Sequence, residues 1–170
     1  MNNLLNKIKK FGLLEILVTF SAAYVISMLL WTASTRSAVE EKANTVKSNH
    51  KEIVNFINSA INECDQGDKD SETKWGDSCK DEWSSKKVVQ YINSNIKINN
   101  PYSSNNEIIK LAQDPRLQAE GKAGQSTEMG VIFLSLKNFS PEPGSEWVIG
   151  TCVKSPCVAA GNNELTSVYR

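Results

Sequence analysis

Hydrophobic side chains fall along the chain in two regimes. Phe11 to Ala33 reads FGLLEILVTFSAAYVISMLLWTA, and no residue from Ile16 to Thr35 is charged. A helix over these about 20 residues spans roughly 30 Å, the thickness of a bilayer's hydrocarbon core. Beyond Ala33 the pattern becomes periodic. Val39, Ala43, Val46, His50, Ile53, Ile57 and Ile61 fall three and four apart, with Val54, Phe56 and Ala60 widening the stripe. That spacing is one face of an amphipathic helix. No proline lies between Phe11 and Glu63, and the only glycine there is Gly12. The pattern predicts one helix of about 50 residues, roughly 75–80 Å long. It is apolar all round over 11–33 and two-faced over 34–63. A membrane anchor needs only the first part; the second must lie against a folded domain or a partner helix.

The rest of the chain, 64–170, predicts a small head. Trp83 to Ile98 reads as a helix, with Ser84 or Ser85 as N-cap and Val88, Val89, Ile92 and Ile96 on one side. Asn99-Asn100-Pro101 should end it. Asn106 would cap a further helical piece, EIIKLAQ, stopped before Pro115. Gln118 to Thr127 reads as loop. Met129 to Leu136 and Glu146 to Val153 read as strands around a Pro-rich turn from Phe139 to Ser145, and Leu165 to Tyr169 as a third strand. Short connections imply an antiparallel sheet, covered on its inner face by the amphipathic part of the long helix. The fold class is α+β.

Charge orients this arrangement. Residues 1–10 form a short leader, MNNLLNKIKK, with Lys7, Lys9 and Lys10 and no acid. Basic residues flanking a span hold that end in the cytoplasm, so everything after Trp31 should cross the membrane. Glu15 breaks the apolar run just inside its membrane end. A carboxylate there costs energy, up to roughly 2.5–3.5 kcal/mol at a bilayer centre and less near an end. It either snorkels toward the headgroups or serves as a binding group that meets a cation when chains assemble. A secretory signal peptide is a weaker alternative, because the apolar run continues past Ser21-Ala22-Ala23 to Trp31.

The Lys-rich leader, Phe11-Gly12-Leu13-Leu14-Glu15 and the apolar helix after them resemble the class III signal of type IV pilins and pseudopilins. The resemblance covers roughly the first third of the chain. It implies a pilin-like fold, with the long helix packed on the sheet of the head. It also implies cleavage by a prepilin peptidase between Lys10 and Phe11, N-methylation of Phe11, and an assembly role for the Glu15 carboxylate. Leu13, Leu14, Ile16 and Leu17 would become helix-packing positions in a filament core. The family places a small residue, usually glycine, where this chain has Lys10. Either the peptidase accepts Lys10, or the chain stays uncleaved as an inner-membrane protein with a periplasmic binding domain. The implied partners are further copies in a helical filament, the peptidase, an assembly platform and the inner membrane. The implied destination is an extracellular pilus, with a type II secretion pseudopilin as a related possibility.

The remaining chemistry is sparse. Lys plus Arg and Asp plus Glu both number 19, so the formal net charge is zero. That argues against a specific nucleic-acid surface, while leaving room for DNA capture by a local patch on a filament. Cys64, Cys79, Cys152 and Cys157 allow three pairings. Cys64 with Cys79 and Cys152 with Cys157 each close a local loop containing turn residues, in the oxidising space where the topology places them. A Cys₄ zinc site competes but lacks closely spaced CxxC pairs. Asp65, Asp68, Asp70 and Glu72 offer oxygens of the kind Ca²⁺ takes, though not in EF-hand order, and a solvated acidic loop is the simpler reading. His50 is the only histidine and sits on the apolar-leaning helix face, as a partly covered packing residue. One histidine, no GxSxG and no spaced metal ligands point away from an enzyme, and no cofactor is implied.

Overall fold

The computed structural model describes residues 12–67, 71–104, 108–122, 128–138 and 145–170, and only the backbone of Leu13 and Leu14. Lys10, Phe11, Asp68, Asp70, Asn106 and the turn at 139–144 lie outside these. One helix, α1 (Leu13–Gln66), is 54 residues long. The chain divides into two units, Met1–Glu40 and Glu41–Arg170.

In the first unit every described side chain from Glu15 onward is exposed. Ile16, Leu17, Phe20, Leu29 and Trp31 are among the large apolar ones. The hydroxyls of Thr19, Ser21, Ser27, Thr32 and Thr35 turn back onto carbonyls three or four residues earlier. Such back-bonding pairs these hydroxyl donors within the helix, which is compatible with a hydrocarbon surrounding. The helix is long and apolar enough to cross a membrane. Val39, assigned to the packing stripe by its spacing, is 44% exposed and belongs to this unit.

In the second unit Ala43, Val46, Ile53, Ile57, Ala60, Ile61 and Cys64 are buried, at the expected three- and four-residue spacing. Helix α2 (Ser85–Asn95) starts where Ser84 accepts a hydrogen bond from the Lys87 N–H. It buries Val88, Val89 and Ile92, and ends at Asn95 rather than Ile98. The strands are β1 (Ile109–Leu111), β2 (Ile132–Asn138), β3 (Ser145–Cys152) and β4 (Asn163–Tyr169), in the spatial order β1-β2-β3-β4. Alternation along them separates two faces. Ile132, Leu134, Trp147, Ile149 and Val168 join the core that also holds α1 and α2 residues, while Phe133, Val148 and Gly150 point the other way. A short helix, α3 (Pro115–Ala119), packs against β3. Covered on both sides, β3 is buried throughout.

Three expectations are corrected. The sheet is mixed, because β1 runs parallel to β2 while the other pairs are antiparallel. Parallel neighbours need a crossover, and residues 112–131 supply one that carries α3. EIIKLAQ is therefore not a helix: its centre is β1, with Ile109 opposite Ile132. The Asn93 side chain completes β1, donating to the Ile109 carbonyl at 2.9 Å and accepting from the Ile109 N–H at 3.3 Å. The region read as loop from Gln118 begins inside α3, whose N-cap is Asp114 and whose first residue is Pro115.

Where α3 crosses β3 the two backbones approach closely. A Cβ on Gly150 would meet the Pro115 carbonyl oxygen and lie 2.8 Å from its carbon. Backbone cannot yield as a flexible side chain does. Gly150→Ala is expected to destabilise the head by about 1–3 kcal/mol as α3 is pushed away. Urea unfolding followed by tryptophan fluorescence measures this; an unchanged midpoint would show that the approach is looser than described.

Candidate functional site

Two regions are candidates for function: the opening of α1, and the loops of the head tied by disulfides. At the opening, Gly12 is the N-cap, its carbonyl accepting from the N–H groups of Glu15 and Ile16. Glu15, three residues on, returns its carboxylate to the Gly12 N–H at 3.0 Å. This is the acidic arm of a capping box, and a carboxylate in the first turn also suits the positive end of the helix dipole. The Gly-x-x-Glu spacing carried that signal, which reading Glu15 only as a membrane or assembly carboxylate missed. Ile16 and Leu17 are exposed beside it, 37% and 61% accessible. Leu13 and Leu14 occupy the first turn; Lys10 and Phe11 are outside the described residues.

In the head, Cys64 is bonded to Cys79 and Cys152 to Cys157. The loop closed by the first pair carries Trp75 into an aromatic cluster with Phe56, Trp83 and Tyr91. Asp77 anchors the loop's end. Its Oδ2 accepts from the Ser84 N–H at 2.7 Å and its Oδ1 pairs with the Lys87 ammonium at 2.6 Å. Burial alone would raise its pKa, but Lys87 and the Ser84 N–H outweigh this and hold it below the usual carboxylate range. Arg170 lies over the Trp83 ring, 4.2 Å from its centroid. Its guanidinium donates to the carbonyls of Cys79 and Asp81, so a protein cation already serves these oxygens. Asp65 is exposed, and Glu72 forms a bridge to Ser78. Among the described residues, no three His, Cys, Asp or Glu are grouped to hold a metal ion.

The second disulfide borders an open cleft of about 480 Å³. Met129, Pro156, Cys157 and Val158 give it an apolar floor, and the Glu120–Lys122 ion pair stands at its rim. Val158 is 60% exposed. His50, expected to be partly covered, is 2% exposed and hydrogen-bonded through both ring nitrogens. It therefore has no access to a substrate as a general base. Its helix position was legible from the spacing; its hydroxyl partners, more than 100 residues away, were not.

No protein-family model matches the chain, and no curated protein or solved structure does either.

Proposed function

We propose that the chain is a structural subunit, major or minor, of a type IV pilus-like filament, assembled through its N-terminal helix. The observation that carries this reading is the exposed, uncharged stretch of α1 from Ile16 to Thr35, opened by the single carboxylate of Glu15. Such a surface suits lipid before assembly and other helices after it. In the filament, small and back-bonded polar side chains allow close helix packing, and a low dielectric strengthens any pairing of Glu15 with a cation. The head would then display its loops for adhesion, motility or DNA uptake. The subunit would reside in the inner membrane before export, with a prepilin peptidase and an assembly platform as partners.

A strain expressing Glu15→Ala at wild-type level tests this. Sheared filaments containing the chain should fall at least tenfold, while the membrane-held pool persists. Normal filament yield from that strain would overturn the assembly role. Lys10 before Phe11 favours a second reading, an uncleaved single-pass inner-membrane protein with a periplasmic binding domain. The mass of the mature N-terminus separates the two: a methylated Phe11 selects the filament subunit, and an intact Met1 selects the anchor. A pseudopilin of a type II secretion system would share the processed terminus and differ in its partners.

A further inference from the structure

His50 sits in the head between α1 and the β3–β4 pair. Its Nδ1 lies 3.0 Å from the Thr151 hydroxyl and its Nε2 2.9 Å from the Thr166 hydroxyl. A neutral imidazole carries one N–H and one bare nitrogen. Held between two hydroxyls, it donates to one threonine and accepts from the other, and every group in the chain of bonds is used. An imidazolium carries two N–H groups. The threonine that had been donating must then turn its proton elsewhere. Thr166 is half-buried and can turn toward water, but Thr151 is completely buried. The cradle satisfies the neutral ring in full. With Nδ1 accepting from Thr151 the charged ring strands that hydroxyl's proton, and in either tautomer a ring only 2% exposed is poorly hydrated when charged.

The charged groups facing the ring do not reverse this. Lys47 stands one turn earlier on α1 and pairs at 3.5 Å with Glu164 of β4. Glu164 favours the charged ring, Lys47 partly neutralises Glu164, and β3 presents Thr151. Burial dominates and lowers the His50 pKa from 6.5 to about 4, with Glu164 pulling the other way.

We propose that the His50–Thr151–Thr166 clasp is an acid-labile latch, which seats residues 43–50 of α1 on the β3–β4 pair while the imidazole is neutral and releases them when it gains a proton. The release is local. Later turns of α1 are held separately by Ile53, Ile57, Ile61 and the Cys64–Cys79 bond. The earlier turns rely on Ala43, Val46, the clasp, the Asn49 amide donating to the Asn99 carbonyl at 2.8 Å, and a partly exposed ion pair. The sign follows from proton counting. The open state, with an ordinary histidine, binds more protons than the closed state between pH 6.5 and about 4, so acid favours opening across that window. Between pH 7.5 and 5.0 the linkage amounts to a roughly 30-fold gain in the open population.

The full chain in detergent micelles tests this by thiol labelling. The native cysteines are all paired, so a single introduced thiol reports alone. A cysteine at the buried position Val46 (Val46→Cys) is labelled with dithiodipyridine at pH 7.5 and 5.0, and each rate is divided by that of an unstructured peptide thiol at the same pH. The corrected rate should rise roughly 30-fold on acidification. It should rise less than about threefold at Val88→Cys in α2, and less than about threefold at Val46→Cys carrying His50→Gln as well. A pH-independent rate at Val46→Cys, an equal rise at Val88→Cys, or an undiminished rise with His50→Gln would each overturn the latch. If the His50→Gln chain does not fold, the imidazole proton titration by NMR in the otherwise native chain decides. A midpoint near 6.5 overturns the latch, and one near 4 together with the acid-dependent rate at Val46→Cys sustains it.

Discussion

Trp147→Ala should lower the thermal midpoint of the head by roughly 10–20 °C, since truncating a buried tryptophan costs about 3–5 kcal/mol. Trp147 has no accessible surface. It sits mid-strand in β3, opposite Leu136 on one side and Val168 on the other, with its ring 6.3 Å from that of Trp83. The same face of β3 meets the helices, so no solvent-facing route exists by which the cavity could collapse cheaply. A domain of ordinary stability holds about 5–15 kcal/mol, so the loss is a large share of the whole. Near-UV circular dichroism on heating provides the measurement, with Leu111→Ala, at a position 46% exposed, as the near-neutral control. A shift under about 3 °C for Trp147→Ala would mean that the core is not centred on this strand.

Replacing both Cys64 and Cys79 with serine should cost about 3 kcal/mol in the chain-entropy account of a 15-residue loop. The corresponding change at Cys152 and Cys157, five residues apart, should cost about 2 kcal/mol. The two losses differ in kind as well as size. The first loop delivers Trp75 to Phe56 and Trp83 and is clamped by Asp77 and Arg170, so opening it frees part of the core. The second borders the open cleft and unseats little. Urea midpoints of the two double variants check the order; a larger loss at Cys152 and Cys157 would reverse the assignment of which bond supports the core.

Both regimes of α1 were readable because periodicity reports what surrounds a helix. A long stretch without charged positions suits apolar surroundings on every side, and a three-four stripe has one packed side. Ser84 was readable as a cap because an N-cap is a local device. Strands β2, β3 and β4 were readable to within a few residues from their β-branched and aromatic runs. Strand β1 was not. Ile108, Ile109 and Leu111 suit helix or strand equally, and what selects strand is distant: Ile132 across the ladder and Asn93 along the open edge. Helix α3 did leave a local mark in Asp114-Pro115, a cap followed by a residue preset for the first turn. The clasp around His50 joins positions 101 and 116 residues apart, and no pattern along a single chain encodes such a meeting.

The bond from the Gly12 N–H to Glu15 engages one carboxylate oxygen, and a carboxylate can accept several donors at once. The first turn of α1 therefore works as a jig. A free glutamate side chain gives up about 1.5–2 kcal/mol of rotamer freedom when it is fixed. Here much of that restriction is already in place within the helix itself. In the proposed filament, a cation arriving from a neighbouring subunit would meet an acceptor whose direction is set, so less ordering would remain at the moment of contact. Shortening the side chain with Glu15→Asp would keep the charge and lose the jig, separating the value of the charge from the value of its aim.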